Sequence, residues 1–120
     1  MARTIGDVIA EARVLLNDTK PAPTYRYTDR ELMQGFNGAL LEARAKRPDL
    51  FLGVFQLRAP LPQYTTGDFS TAFPLNDLAF HAFVYFVSGW ASLREDTFVE
   101  DQRAVTLVNK FVSQLLTVAS

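Results

Sequence analysis

The sequence predicts an all-α protein, a small four-helix bundle with an irregular β-hairpin or long loop between helices 2 and 3. Three observations lead there. Four stretches repeat apolar residues at spacings of three and four. Two of them open on Thr-x-x-Glu, the pattern of a helix capping box. Between the second and third, the apolar period shortens to two and prolines appear. At 120 residues the chain forms one domain, residues 1–120, with an insert at 50–75 and a C-terminal segment at 110–120.

Helix 1 is expected from Thr4, a plausible N-cap, to about Leu16, with Ile5, Val8, Ile9, Ala12, Leu15 and Leu16 on one face. Asn17-Asp18 ends it, and residues 20–24, KPAPT, form a stiff connector. Helix 2 starts at Thr28, whose hydroxyl can accept from the Glu31 N–H while the Glu31 carboxylate reaches back to the Thr28 N–H. Tyr27 and Leu32 occupy the positions of a hydrophobic staple. Leu32, Phe36, Ala39, Leu40 and Ala43 form the core stripe, and Pro48 stops the helix by removing a donor.

From Val54 the residues Phe55, Leu57, Ala59 and Leu61 alternate with more polar neighbours, which predicts a half-buried strand. Pro60 and Pro62 confine it to an edge or to irregular chain, and Thr66-Gly67-Asp68 signals a turn. Helix 3, roughly Asn76 to Arg94, is apolar around most of its circumference. Ala79, Phe80, Phe83, Val84, Phe86, Val87, Trp90 and Leu93 leave only a narrow polar seam of His81, Tyr85, Ser88 and Ser92. Such a helix must be covered on nearly every side, which three other helices are not expected to achieve alone. The insert or another subunit is the expected cover. Helix 4 starts at Thr97-x-x-Glu100, with Val105, Val108, Val112, Leu115 and Ala119 inward. Its other face is polar but nearly uncharged, and the last ten residues carry no charged side chain, which suits docking onto something.

Composition narrows the function. The net charge of −1 offers no electrostatic footprint for duplex nucleic acid or for an anionic membrane. Arg44, Lys46 and Arg47 cluster at the end of helix 2, where cations complement that helix's dipole. With no cysteine there is neither a disulfide nor a thiolate metal site, which suits a reducing cytoplasm. The N-terminal stretch carries acids and lacks the apolar core of a signal peptide, and no run approaches a membrane span of roughly 20 residues. A soluble protein is expected.

No residue set reads as catalytic, metal-binding or cofactor-binding, so no enzyme is expected. His81 and Ser88 stand two turns apart on one helix, roughly 10 Å, too far for proton transfer. Glu95, Asp96, Glu100 and Asp101 gather at a helix N-terminus, where the dipole already favours acids, and they lack the spacing of a calcium loop. Gly35-Phe36-Asn37-Gly38 has the letters of an RNA-clamping GxxG loop but lies inside an apolar helical stripe without basic neighbours. On a helical wheel Gly35, Gly38, Glu42 and Ala45 instead form a small-residue flank beside the core stripe. Each glycine weakens the helix by about 1 kcal/mol relative to alanine, and close approach of another backbone is the usual compensation. Another helix of the bundle and a neighbouring subunit fit equally.

The stretch YRYTDRELMQGFNGALLEARAKRPDLF resembles the small head-to-tail adaptor (connector) proteins of tailed bacteriophages. In that family a first helix is followed by an aromatic, Ser/Thr-Asp-x-Glu-Leu, an Asn one turn on, and Arg-Pro-Asp. The corresponding residues here are Tyr27, Thr28, Asp29, Glu31, Leu32, Asn37, Arg47, Pro48 and Asp49. LNDLAFHAFVYFVSGWASLRED resembles the aromatic-rich third helix of the family, and a final helix after an acidic turn also fits. The likeness covers about residues 5–50 and 75–118. Gly38 follows Asn37 where relatives commonly carry an acid, and the insert has no clear counterpart.

The resemblance implies a structural virion protein, made in the bacterial host cytoplasm and located at the head–tail junction. Adaptors form a ring, usually of twelve copies, beneath the portal vertex; it extends the DNA channel and receives stopper or tail proteins below. Double-stranded DNA would pass without sequence-specific binding, and no membrane is involved. Gly35, Gly38, Glu42, His81 and Tyr85 are the expected subunit interface. Lys110, Phe111, Gln114, Leu115 and Leu116, within the segment running to Ser120, are the expected portal-docking residues. A stopper or tail-completion protein is the alternative within the phage class. A small dimeric helical regulator or binding module is the alternative outside it.

Overall fold

The computed structural model describes residues 3–16, 27–51, 61–75, 77–93 and 98–118. Among them are four α-helices: α1 (Ile5–Leu15), α2 (Asp29–Lys46), α3 (Phe80–Leu93) and α4 (Phe98–Thr117). The all-α expectation holds. Of the expected hairpin or long loop, no hairpin is seen among the described residues: 61–75 contain no strand, only a short helical turn at Thr66–Asp68 and one isolated antiparallel bridge, Thr4 to Ala72. Residues 54–60, where the alternation is clearest, and Thr97, the expected start of helix 4, lie outside the described residues.

The first two helices each start for a local reason. At α1 the Thr4 hydroxyl accepts from the Asp7 N–H (3.2 Å) and the Asp7 carboxylate accepts from the Thr4 N–H (2.8 Å), a complete capping box. At α2 the Thr28 hydroxyl accepts from the Glu31 N–H (3.1 Å), while the Glu31 carboxylate meets that same hydroxyl at 3.2 Å. Tyr27 and Leu32 are both buried, as a hydrophobic staple requires. The chain then turns through Pro48–Phe51, which buries Phe51 under α2.

The insert pins the start of α1. The Ile5 N–H donates to Thr71 O (2.9 Å), the Gly6 N–H to Phe69 O (2.8 Å), and the Phe73 N–H to Arg3 O (2.8 Å). The first N–H groups of a helix have no partner within it, and here insert carbonyls supply partners. Gly6 is required by this approach, since a Cβ there would stand 2.7 Å from Phe69 O.

α3 is the central helix, and α1, α2 and α4 each pack against it. Three helices cover much of α3, and Phe73 of the insert adds part of the expected further cover on Phe80 and Phe83, while Phe86 and Trp90 stay half-buried. The helices manage it because small residues, Ala82, Ser88, Gly89 and Ala91, sit buried among its aromatic ones and let neighbours come close. The core around it is an aromatic net. Phe73 of the insert stands edge-on to Phe83 (5.1 Å between centroids), Phe83 tilts against Phe36 of α2 (5.5 Å), and Phe80 meets Phe73 (5.8 Å).

Candidate functional site

Three side-chain joints tie separate segments to α2. The first is Arg13, almost fully buried on the inner side of α1, which donates to Tyr27 O (2.9 Å) and to the Asp29 carboxylate (2.6 Å). Its signal in the sequence is a cation at a core position of an amphipathic helix, four residues after Ile9, although the expected apolar face of helix 1 does not include Arg13. The second is Asn37, whose amide pairs with one peptide unit of the insert. Its Nδ2 donates to Tyr64 O (3.0 Å), and its Oδ1 accepts from the Tyr64 N–H (3.0 Å). Tyr64 also stands edge-on to Phe36 at 5.8 Å. Burial first, and the nearby Asp68 charge second, push the Tyr64 hydroxyl pKa above its ordinary value.

The third joint explains Arg47-Pro48-Asp49. Nε and NH2 of Arg47 donate to the two Asp49 carboxylate oxygens (3.0 and 2.8 Å). NH1 donates to Leu115 O (2.9 Å) and Leu116 O (3.3 Å), and NH2 also donates to Val118 O (2.9 Å). One planar guanidinium thus caps the C-terminus of α4 while Asp49 fixes its orientation. Those hydrogen bonds hold the Asp49 carboxyl below the ordinary carboxylate range and raise Arg47 further above its own. The sequence assigned Arg47 to the dipole of its own helix; the structure assigns it to the carbonyls of another.

On the far side of α3 lies an open apolar groove of about 290 Å³ between α2 and α4. Half-buried Phe86 and Trp90 of α3 and Val108 and Val112 of α4 form its walls, with Glu42 and Lys46 along the α2 rim. The glycine flank accounts for the rings' positions. A Cβ on Gly35 would lie 3.0 Å from Trp90 Cε3, and one on Gly38 would lie 3.5 Å from Phe86 Cε1. The close approach predicted at these glycines is therefore made by α3 of the same chain. Gly35 is buried, so it offers no surface to a neighbouring subunit, whereas Glu42 is exposed on the groove rim.

His81 and Tyr85 lie elsewhere. His81 is exposed and edge-on to Phe80 (5.4 Å), and it lines a cavity of about 480 Å³ with Arg3, Asp77, Leu78 and Gln114. Lys110 Nζ sits 5.5 Å from the centre of the half-buried Tyr85 ring. Residues expected at the subunit interface and at the portal face thus meet on one surface: His81 with Gln114, and Tyr85 with Lys110. Ser88 leaves the expected polar seam altogether. It is fully buried, its hydroxyl donates to Val84 O (2.9 Å), and it lies 3.5 Å from Ala12 O of α1. The Ser92 side chain is outside the described residues.

The C-terminal docking set divides as well. Lys110, Gln114 and Leu116 are exposed, with Leu116 58% accessible. Phe111 and Leu115 are buried in the chain's own core, Phe111 edge-on to Phe86 at 4.9 Å, so they cannot meet a portal in this conformation. The reason is periodicity, since both lie on the inward stripe of α4. Residues 119 and 120 are outside the described set. Among the described residues, no three His, Asp or Glu side chains are grouped to hold a metal ion, and no helix is long and apolar enough to cross a membrane.

Comparison of the chain with known proteins finds no matching family model, no matching curated protein and no matching solved structure.

Proposed function

We propose that this chain is a structural subunit of the head–tail junction of a tailed bacteriophage, forming a ring that joins the portal vertex to the tail and extends the DNA channel. The observation that carries this reading is the work done by the residues of the resemblance. Asp29 holds Arg13 of α1, Asn37 holds the insert at Tyr64, and Arg47 with Asp49 caps α4. The motif is thus a set of joints that fasten three separate segments to α2. A chain that shares the motif is expected to share the scaffold, and through it the role. On this reading the surface shared by His81, Tyr85, Lys110, Gln114 and exposed Leu116 faces partners: the portal above, or a stopper or tail protein below. A net charge of −1 suits a channel that lets the duplex slide.

The test is co-expression with the portal protein encoded by the same genome, followed by size measurement and negative-stain imaging. A ring of copies on the portal, usually twelve in this class, is the expected result. A stable two-copy particle that ignores the portal would overturn the reading and favour a dimeric regulator.

A further inference from the structure

We infer that the cavity between α2 and the insert, beside Asn37, binds a carboxylate carried on a short carbon stem, as in an acidic side chain or the C-terminus of a peptide. The inference is independent of the head–tail reading, because the cavity shares no residue with the partner-facing surface proposed above.

The cavity has a volume of about 290 Å³, and both of its walls are held by the fold. Arg30, Met33, Gln34 and Asn37 supply one wall, because spacings of three and four place them on a single stripe of α2. Residues 63–66 of the insert supply the other. Asn37 grips that segment through the Tyr64 N–H and carbonyl, and the Tyr64 ring rests edge-on against Phe36. The next turn is closed by the Thr65 N–H and hydroxyl, which both donate to the Asp68 carboxylate (2.8 and 3.2 Å). Walls fixed in this way lose little freedom when a ligand settles between them.

Charge and hydrogen-bonding capacity decide the ligand. The groove between α2 and α4 sets Lys46 beside Glu42, and the cavities at His81 set Arg3 beside Asp7 and Glu11 or beside Asp77. In the cavity beside Asn37, Arg30 is the one charged lining group among the described residues, with no carboxylate to answer it. The Arg30 guanidinium makes no ion pair there, and the Gln34 and Gln63 amides and the Thr66 hydroxyl make no hydrogen bond to protein. These are donors that the fold leaves unused, and a carboxylate can accept from a planar guanidinium and from amides together. A phosphate would bring a second negative charge without a second cation to meet it. Buried Met33 gives the carbon stem an apolar surface to lie on. The volume falls at the lower end of ligand cavities, which start at roughly 300 Å³, so the ligand is the size of an amino acid.

The test is an NMR titration of the isotope-labelled full chain with two carboxylate compounds. N-acetylglutamate α-amide carries only a side-chain carboxylate, and N-acetyl-alanyl-alanine only a C-terminal one. Their uncharged amides and inorganic phosphate are the comparisons. At least one carboxylate compound should give saturable shifts at the Arg30 Nε–H and at the Gln34 and Gln63 side-chain amides, and the tighter of the two names the source. The uncharged amides should bind about tenfold more weakly. Arg30→Gln should lose about tenfold in affinity and Gln34→Ala about threefold, with thermal unfolding of both unchanged, since both side chains are exposed. Arg30→Lys should fall between wild type and Arg30→Gln, because it keeps the charge and loses the fork. Lys46→Gln, which removes a cation from the other groove, should change nothing. The absence of saturable shifts with either carboxylate would overturn the inference. So would phosphate or the uncharged amides binding as tightly, or equal losses from Arg30→Gln and Lys46→Gln. None of these results bears on assembly with the portal, which stands or falls on its own test.

Discussion

The two sides of α3 are finished differently. Toward α1 the surface is closed at backbone distance: Ser88 is fully buried beside Ala12, and insert carbonyls take the first N–H groups of α1. Toward α2 and α4 the surface is left open, with Phe86 and Trp90 only half-buried in a groove. Both sides rely on small residues, but to different ends. Gly6 and Ser88 let main chains meet, whereas Gly35 and Gly38 make room for large rings. The first arrangement is rigid, because a peptide carbonyl cannot step aside. The second tolerates adjustment, because a ring at an open edge can move.

The sharpest way to break this contrast is to enlarge one residue on the closed side and shrink one on the open side. Ser88→Leu should destabilise the protein by about 3 kcal/mol, since the added atoms have no space at the α1 crossing. Trp90→Ala, despite removing far more volume, should cost no more than about 2 kcal/mol because the ring is already half in water. Urea midpoints for the two variants decide it, and the reverse order would show that the groove is the tighter side.

Next in size is Gly6→Ala. Its Cβ would press on Phe69 O, so the hydrogen bonds of Ile5 and Gly6 to the insert should fail together, a loss of about 2 kcal/mol. Hydrogen exchange should then accelerate at Ile5, Gly6 and Phe73 before it does in α4.

The Arg47 clamp lies on the open side and should act locally. Arg47→Lys keeps the charge but loses the planar fork, so amide exchange in the last turn of α4 should rise about tenfold while the α1 side is unchanged. Acid should imitate the variant. The Asp49 carboxyl is held below its ordinary pKa of 3.8, so its contribution is complete above that value and is lost as pH falls through the lowered one. Exchange at Leu115 to Val118, followed from neutral pH downward, reports it.

The smallest effect separates the two helical glycines. Gly38→Ala meets Phe86 at ordinary contact distance and gains helix propensity, so it should stabilise by up to about 1 kcal/mol. Gly35→Ala forces Trp90 to shift and should gain less or nothing. Equal gains at both positions would mean that the rings are not seated on the glycines.

Much of this molecule is local and was legible in the sequence. Thr4 and Thr28 start their helices because a hydroxyl three residues from an N–H needs no other part of the chain. Pro48 bounds α2, the stripe from Leu32 to Ala43 is buried, and Thr66-Gly67-Asp68 turns the chain, all for reasons contained within a few residues. The sequence also determined that α3 must be the most covered helix, because most of its circumference is apolar. Which groups would do the covering was decided only by tertiary structure. Arg47 looked like a dipole partner for α2 because its true acceptors, near Leu115, lie 68 residues away. Gly35 and Gly38 announced a close approach but could not name the visitor, and Ser88 looked like part of a surface seam until α1 crossed over it. Periodicity reports which face of a helix is covered. What covers it depends on crossing angles and on side chains far along the chain, and those exist only once the helices have packed.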